Sequence, residues 1–165
     1  MPGVASVDPI ACAYAAGLFD GEGSVMILHQ SEPRGPAGWY HQLRATVGMY
    51  DGSAVEWLRE QFGGSIYTMR RPAGSPRSDL WSWTVKSRAA EDFLRQIRPY
   101  LRTKANQAYV SLRFRETFPV APGKTRDDIR DEREVLRTEL RRLNARGQHR
   151  LPAAAPVVPG SRMNH

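Results

Sequence analysis

Alternation of apolar and polar residues is clearest in two segments of the chain. In segment 39–50, Leu43, Ala45, Val47 and Met49 alternate with Gln42, Arg44, Thr46 and Gly48. In segment 80–86, Trp81, Trp83 and Val85 share one side. A period of two is typical of a strand with one buried face. Segments 24–30 and 65–71 are also predicted to be strands, but their registers stay open.

Helices are predicted on either side of these strands. Asp8 followed by Pro9 is a helix N-terminal signal, and the helix that it begins is expected to run to about Asp20, before Gly21 and Gly23. Further helices are predicted at 53–62 with Ser53 as N-cap, at 88–98 and at about 103–117. The order is helix, two strands, helix, two strands, helix, which predicts an α+β fold with an αββαββα core.

A different kind of segment follows this core, which spans 1–118. Residues 119–123 resemble a linker, and 125–146 are predicted to form a highly charged helix; together these make a region at 119–147. The apolar strip of that helix consists of Ile129, Val135, Leu136, Leu140 and Leu143. Its charged residues are expected to form a solvated face while the strip docks on the core. The tail, 148–165, is rich in Pro and Ala and is expected to be disordered.

Charge favours a nucleic-acid partner. The 165 residues carry 24 Lys and Arg against 17 Asp and Glu, a formal charge of +7. Positive charge gains affinity for nucleic acid by releasing phosphate counterions. Lysine occurs only at Lys86, Lys104 and Lys124. The abundant arginine suits phosphate and guanine recognition, but a GC-rich genome produces the same composition.

Composition also excludes several classes of protein. The single cysteine, Cys12, excludes an internal disulfide framework and a multi-cysteine zinc site. Neither an apolar run of about 18 residues nor a signal peptide is recognisable, so we expect no membrane partner. An intracellular protein is expected, and the arginine-rich, lysine-poor composition suggests a prokaryotic or phage origin.

Small residues form a stripe along the first helix. Ala13, Gly17 and Gly21 are spaced four residues apart, and Ala16 lies beside them. Such a stripe allows another backbone to approach closely. The other helix could belong to the same subunit, but no other segment has a matching stripe. A second copy across a two-fold axis would supply one, so a homodimer through this face is predicted.

Negative charge accumulates where the first helix ends, in Asp20-Gly21-Glu22-Gly23. Carboxylates at a helix C-terminus oppose the macrodipole, so a cation is expected to offset them. A divalent metal with oxygen ligands, including a backbone carbonyl near Gly21, is the simplest candidate. An ordinary acidic turn is the alternative.

Two segments carry a resemblance to a known family. Residues 14–24 (YAAGLFDGEGS) resemble the motif of LAGLIDADG homing endonucleases, with Ala15 to Gly23 covering its nine positions. Residues 99–108 (PYLRTKANQA) are similar to the Pro-Tyr-Leu-x-x-Lys segment that opens the last core helix of that family. The resemblance implies a four-stranded antiparallel DNA-binding saddle and metal-dependent cleavage of double-stranded DNA, with Mg²⁺ as cofactor. A single motif implies a homodimer.

The resemblance also implies roles for single residues. Glu22 matches the acidic metal ligand, and Gly21 matches the residue whose carbonyl completes the metal site. Asp20 matches a structural acid. Lys104 matches a basic residue near the scissile phosphate, although a lysine exposed in a first helical turn is the alternative. Asp51 falls where some relatives place a polar residue that orients the catalytic water.

The sheet face opposite the helices is the expected DNA surface. Gln suits adenine, Arg suits guanine, and Ser or Thr suits either base, although an ordinary solvated sheet face uses the same residues. The expected DNA-contacting residues are Gln30, Gln42, Arg44, Thr46, Tyr67, Arg71, Ser82, Thr84 and Lys86. Two saddles about a two-fold axis would cover ~20 bp of a palindromic or near-palindromic site.

Two other functions remain open at this stage. One is a protein that retains the fold without nuclease activity, either an RNA maturase or a DNA-binding regulator. The other is a helical scaffold built on residues 125–146.

Overall fold

The computed structural model describes residues 7–35, 38–120 and 122–145. Its helices and strands follow the predicted αββαββα order, with a fifth helix after the core. The elements are α1 (Pro9–Glu22), β1 (Gly23–Glu32), β2 (Gly38–Met49), α2 (Gly52–Phe62), β3 (Ser65–Met69), β4 (Leu80–Lys86), α3 (Ser87–Ile97), α4 (Ala105–Glu116) and α5 (Arg126–Ala145). A single 3₁₀ turn, Arg98–Tyr100, separates α3 from α4. The predicted tail at 148–165 lies outside the described residues.

Helix α1 begins as predicted but ends later. The Asp8 carboxylate accepts hydrogen bonds from the backbone N–H groups of Ile10 and Ala11, at 3.0 and 3.2 Å. The helix continues through Glu22, and the N–H of Gly23 then donates to the carbonyl of Phe19. A Cβ at Gly23 would lie 2.3 Å from the Phe19 ring. The direct turn from α1 into β1 therefore requires glycine.

The N-cap of α2 differs from the predicted one. The carboxylate Oδ1 of Asp51 accepts from the N–H of Ser53 at 2.9 Å and from its hydroxyl at 2.6 Å. Ser53 therefore lies inside the helix and donates to the cap. The prediction failed because both residue types are good N-caps, and only the backbone shows which of them precedes the first helical residue.

All three strand pairings are antiparallel, in the order β1-β2-β4-β3. Gly23 pairs with Val47, Thr46 with Thr84, and Tyr67 with Ser82, which settles the two open registers. One face of the sheet is covered by helices and carries the buried side chains of Val25, Ile27, Leu43, Ala45, Val47, Trp83 and Val85. The other face has no helix over it among the described residues.

The core lies between this sheet and the helices. Trp83, Phe19 and Phe93 are among its largest fully buried side chains. The indole N–H of Trp83 donates to the carbonyl of Gly63 at 2.8 Å. The next residue, Gly64, has φ +90°, and a Cβ there would lie 2.6 Å from the carbonyl oxygen of Thr84. The close approach of this turn to β4 therefore needs glycine.

Helix α5 packs on α4 and on the β1 end of the sheet. Ile129, Leu136 and Leu140 are buried as predicted, but Val135 is 67% exposed. The helix is turned so that Arg133 is inside, 7% exposed, with its guanidinium 3.6 Å from the centroid of the Phe118 ring. The charged residues of α5 are therefore not all on a solvated face. None of the described helices is long and apolar enough to cross a membrane.

Candidate active site and sheet surface

The carboxylate of Asp20 joins the end of α1 to the start of α4. Its Oδ2 accepts from the backbone N–H of Arg102 at 2.7 Å, and its Oδ1 accepts from those of Thr103 and Lys104 at 3.2 and 2.9 Å. The Thr103 hydroxyl also donates to Oδ1 at 3.0 Å. Three consecutive N–H groups before α4 are thus satisfied by one side chain, as expected for a structural acid.

Lys104 folds back onto the same helix end. Its ammonium donates to the backbone carbonyl of Asp20. Burial lowers the pKa of Lys104, and attraction to the carboxylates of Asp20 and Glu22 opposes that shift. The lysine is therefore partly buried beside two acids, which disfavours the alternative of a freely exposed lysine in a helical turn.

Glu22 is the acidic residue of this region whose carboxylate has no hydrogen-bond partner among the described residues. Its side chain is exposed and forms no hydrogen bond or ion pair with any described residue, whereas Asp20 is fully engaged. The last turn of α1 contains no basic residue. A free carboxylate therefore extends the negative end of the helix dipole, with Lys104 as a neighbouring positive charge. Exposed oxygen donors of this kind fit a hard divalent cation such as Mg²⁺.

Asp51 lies at the same end of the sheet. Because Gly23 pairs with Val47, the end of β2 at Met49 is beside the end of α1, and Asp51 follows two residues later. Hydrogen bonds from the Ser53 hydroxyl and N–H lower the pKa of Asp51. Its Oδ1 is committed to the α2 cap, so a role in orienting water stays a prediction.

No other described residue covers the small-residue positions of α1. Ala13, Gly17 and Gly21 are exposed, and an added Cβ at Gly17 or Gly21 would meet no atom within 4 Å. Ile10, 80% exposed, belongs to the same face, whereas Tyr14 beside it is 52% exposed and packs edge-on against Trp57 of α2. The predicted small-residue stripe is therefore a free surface.

Ala16 does not belong to that surface, so its prediction as an interface residue is wrong. It is fully buried together with Cys12, Ala15 and Phe19. The helical period of 3.6 residues turns position 16 towards the core while positions 13, 17 and 21 face outward.

The helix-free face of the sheet holds the predicted contact residues in cross-strand rows. Thr46 lies between Ser24 and Thr84, and Arg44 lies between Met26 and Lys86. The register places eight predicted residues on this face: Gln30, Gln42, Arg44, Thr46, Tyr67, Ser82, Thr84 and Lys86. Tyr67 is 68% exposed.

Comparison with known proteins gives structural matches. No protein-family model and no curated protein sequence matches the chain. The homing endonuclease I-CvuI, solved with the I-CreI target, superposes with a TM-score of 0.67 at 18% identity, over 81% of this chain and 82% of that one. The archaeal intron-encoded homing endonuclease I-Vdi141I, complexed with DNA, has a TM-score of 0.64 at 16% identity, over 81% and 84%.

The I-LtrWI LAGLIDADG homing endonuclease, bound to target DNA, has a TM-score of 0.61 at 14% identity, over 84% of this chain and 46% of that one. The chain has the LAGLIDADG homing endonuclease fold. It spans most of I-CvuI and I-Vdi141I but less than half of I-LtrWI, so its single-domain size fits the single-motif type.

Within the LAGLIDADG fold, Arg71 is displaced from its predicted position. Strand β3 ends at Met69, two residues earlier than expected, and the N–H of Arg71 donates to the Asp79 carboxylate at 2.8 Å. Arg71 thus lies in the connection between β3 and β4 and not in a sheet row. The bond to Asp79 competes with continued strand pairing, and sequence alternation does not reveal it.

The helix-free face of the sheet also includes Tyr40, which was not predicted from the sequence. Tyr40 pairs with Gln30 across β1 and β2, and its hydroxyl donates to the Gln30 side chain. Met26 and Leu28 pair with Arg44 and Gln42 on the same face. Extending the alternation from Gln42 by one step would have found Tyr40.

Proposed function

We propose that this protein is a homodimeric, divalent-metal-dependent endonuclease that cleaves double-stranded DNA at a specific site. The supporting observation is the free carboxylate of Glu22, placed beside Lys104 at the C-terminus of α1 in a LAGLIDADG fold. The carboxylate of Asp20, two residues earlier, already accepts hydrogen bonds from backbone N–H groups, so Glu22 is the acid that can bind a metal ion.

The Glu22 carboxylate and the Gly21 carbonyl are the proposed ligands of Mg²⁺. When bound, the ion would neutralise phosphate oxygens and acidify a water molecule. The attacking water oxygen forms a bond to phosphorus while the bond to the leaving oxygen breaks; the water gives up a proton and the leaving oxygen gains one. Lys104 stabilises the negative charge that develops on the phosphate. Asp51 is proposed to orient the attacking water.

A second copy is needed because each chain supplies one such carboxylate, whereas double-strand cleavage breaks two phosphodiester bonds. The exposed face formed by Ala13, Gly17 and Gly21 is the proposed contact between copies. Small residues along it would let the two α1 helices approach closely, so that both Glu22 residues meet near a two-fold axis.

The helix-free face of the sheet is the proposed DNA surface. Gln42 and Arg44 are suited to adenine and guanine edges in the major groove, and Met26 and Leu28 are suited to thymine methyl groups. Because the two half-sites would meet identical surfaces, the target is expected to be palindromic or nearly so, and ~20 bp long.

The test is cleavage of a pooled library of palindromic DNA duplexes with and without Mg²⁺. Wild-type protein should select and cut a limited set of sequences only when Mg²⁺ is present. Glu22→Gln should bind the same DNA without cutting it, whereas Glu60→Gln, the same change at an exposed position of α2, should cut normally. Undiminished cleavage by Glu22→Gln would overturn the assigned role.

Other outcomes identify the alternatives. Selective DNA binding without cleavage under any metal would indicate a regulator. Stronger binding to intron RNA than to duplex DNA in a competition assay would indicate a maturase. Either result would replace the nuclease proposal.

Gly17→Leu tests the dimer separately. A Cβ at Gly17 would lie more than 4 Å from every atom of the neighbouring described elements, so folding should be preserved. Sedimentation should show a dimer for the wild type and a monomer for this variant. Thr138→Leu adds the same side chain on the exposed face of α5 and should remain dimeric. A wild-type protein that stays monomeric on cleaved DNA would contradict the two-copy requirement.

A further inference from the structure

Three potential metal ligands meet at the far end of the β1–β2 pair. Nδ1 of His29 and Nε2 of His41 lie 2.8 and 2.7 Å from the same oxygen, Oε1 of Glu134 in α5. The three ligand atoms all lie within 4.8 Å of one another. No other group of three such side chains converges in the part of the chain that the structure describes.

Strand register brings the two histidines together. His29 and His41 are direct partners in the antiparallel β1–β2 ladder, so their side chains project from the same face. Their rings are 4.6 Å apart at 31°, and the indole of Trp39 packs edgewise against both. With the rings packed in this way, Nδ1 of His29 and Nε2 of His41 face Glu134 and not the solvent.

The carboxylate of Glu134 is oriented by a second contact. Its Oε2 accepts from the Arg137 guanidinium at 3.0 Å, one turn along α5. That bond leaves Oε1 facing the histidines. Metal-binding side chains are commonly held by such outer hydrogen bonds.

Burial at this cluster is uneven. The His41 side chain is fully buried, whereas those of His29 and Glu134 are 32% and 31% exposed. One ligand is therefore enclosed in the core, while the other two are accessible to solvent. An ion can approach from the solvent side, and a water molecule can occupy a fourth coordination position.

We propose that His29, His41 and Glu134 form a binding site for a transition-metal ion of the Zn²⁺ class. Two imidazole nitrogens and one carboxylate oxygen are a donor set that Zn²⁺ prefers and Mg²⁺ does not. Tetrahedral zinc places its ligand atoms ~3.4 Å apart, so the N···O separations must widen by roughly 0.6 Å. The flexible Glu134 side chain can make that movement. Each imidazole would bind the ion through the nitrogen that now faces Oε1, with its one remaining proton on the other ring nitrogen.

The site is separate from the proposed magnesium site. His29 is six residues beyond Gly23, where β1 begins, and a strand rises about 3.3 Å per residue, so the two ends are ~20 Å apart. A bound ion would join α5 to β1 and β2. We therefore expect it to stabilise the fold and to take no part in cleavage.

Calorimetric titration of untagged, full-length protein with Zn²⁺, in the presence of excess Mg²⁺, tests the proposal. One Zn²⁺ should bind per chain, and a hundredfold excess over Kd should raise the unfolding midpoint by about 5–10 °C. Co²⁺ bound in place of Zn²⁺ should give the visible absorption of a four-coordinate ion.

Matched variants locate the site. His29→Gln and Glu134→Gln keep polar groups at their positions and should weaken Zn²⁺ binding at least tenfold. Glu132→Gln removes a carboxylate of α5 that pairs with Lys124, which precedes the helix, and should bind Zn²⁺ normally. His149→Gln with His165→Gln removes the other two histidines and should also leave binding unchanged.

Two results would overturn the proposal: a wild type that binds no stoichiometric Zn²⁺, or binding that survives in both His29→Gln and Glu134→Gln. Loss of binding in the His149→Gln, His165→Gln variant would place the ion elsewhere and would equally refute it. Because Glu22→Gln should bind Zn²⁺ like the wild type, failure here is distinguishable from failure of the nuclease proposal.

Discussion

Helices α4 and α5 are both attached through polar side chains, but their attachments differ in kind. At the start of α4, one carboxylate, Asp20, accepts from three consecutive backbone N–H groups. Helix α5 is held by scattered contacts to side chains and to single backbone carbonyls, including the bond from Asn144 to the Val25 carbonyl at 2.9 Å.

The contacts at the start of α4 and the contacts of α5 position different parts of the molecule. The Asp20 contacts place Lys104 beside Glu22, so the geometry of the candidate active site depends on them. The α5 contacts hold that helix against β1, an edge strand, where Asn144 satisfies the backbone carbonyl of Val25. Changes at the α1–α4 junction should therefore affect cleavage and stability, whereas changes in α5 should affect stability alone.

The largest effect is expected when the charge of Lys104 is removed. Lys104→Met should lower the single-turnover cleavage rate by about 10²–10³-fold, because a positive charge near the reacting phosphate is lost. Lys124→Met removes a lysine that pairs with Glu132 of α5 and should cleave like the wild type. Equal losses in both variants would erase the distinction between the two regions.

Asp20→Ala should give the next largest effect. Three backbone N–H groups lose a charged acceptor, which should cost about 2–3 kcal/mol in the free energy of unfolding. Chemical denaturation measures this cost. Asp131→Ala removes an exposed carboxylate of α5 and should change stability by less than about 0.5 kcal/mol. Cleavage by folded Asp20→Ala protein should also fall, because Lys104 loses its support.

Arg133→Met tests the attachment of α5. The guanidinium donates to the hydroxyl and the carbonyl of Thr117, at 3.0 and 3.2 Å, and stacks on Phe118. Its loss should cost about 1–2 kcal/mol while the cleavage rate of folded protein stays unchanged. Arg130→Met, at a more exposed position, is the matched control. A cleavage defect in Arg133→Met alone would mean that α5 contributes to the active site.

The smallest effect concerns pH and the α3–α4 contact. Burial raises the pKa of Glu91, but hydrogen bonds from Arg115 and Arg95 outweigh it, so the pKa is lowered overall. The ionised form is thus favoured in the folded state. The stabilisation is present above the unfolded pKa, about 4.5, and is lost as pH falls through the lower folded value. Thermal melts between pH 6 and pH 3 should show a shallower acid loss for Glu91→Gln than for the wild type.

Local sequence signals predicted the elements well because they act within a few residues. Asp8 followed by Pro9 located the start of α1, and strict alternation located β2 and β4. The end of α1 was placed two residues early, because glycine usually stops a helix and here Gly21 lies inside the last turn. The cap of α2 was assigned to Ser53 for a similar local reason, when Asp51 fills it.

Side-chain partners far apart in the chain were not predictable. The resemblance identified Glu22 and Lys104. The hydrogen bond between Asp20 and Lys104 joins residues 84 positions apart, and no periodic pattern in the sequence predicts such a contact. The outward direction of Val135 and the burial of Arg133 depend on how α5 is rotated against Phe118. Ala16 was assigned to the free face because its size suited a close contact, although the helical period turns position 16 away from positions 13, 17 and 21 and towards the core.

The sequence by itself determined the order of helices and strands, the small-residue face of α1 and the acid at its end. These follow from backbone propensity, hydrophobic period and motif, which are properties of neighbouring residues. Tertiary structure decided that Asp20 is consumed while Glu22 is free, and that Glu134 meets His29 and His41. The physical reason is that both outcomes require elements distant in the chain to pack together, and the register of that packing sets which polar atoms find partners.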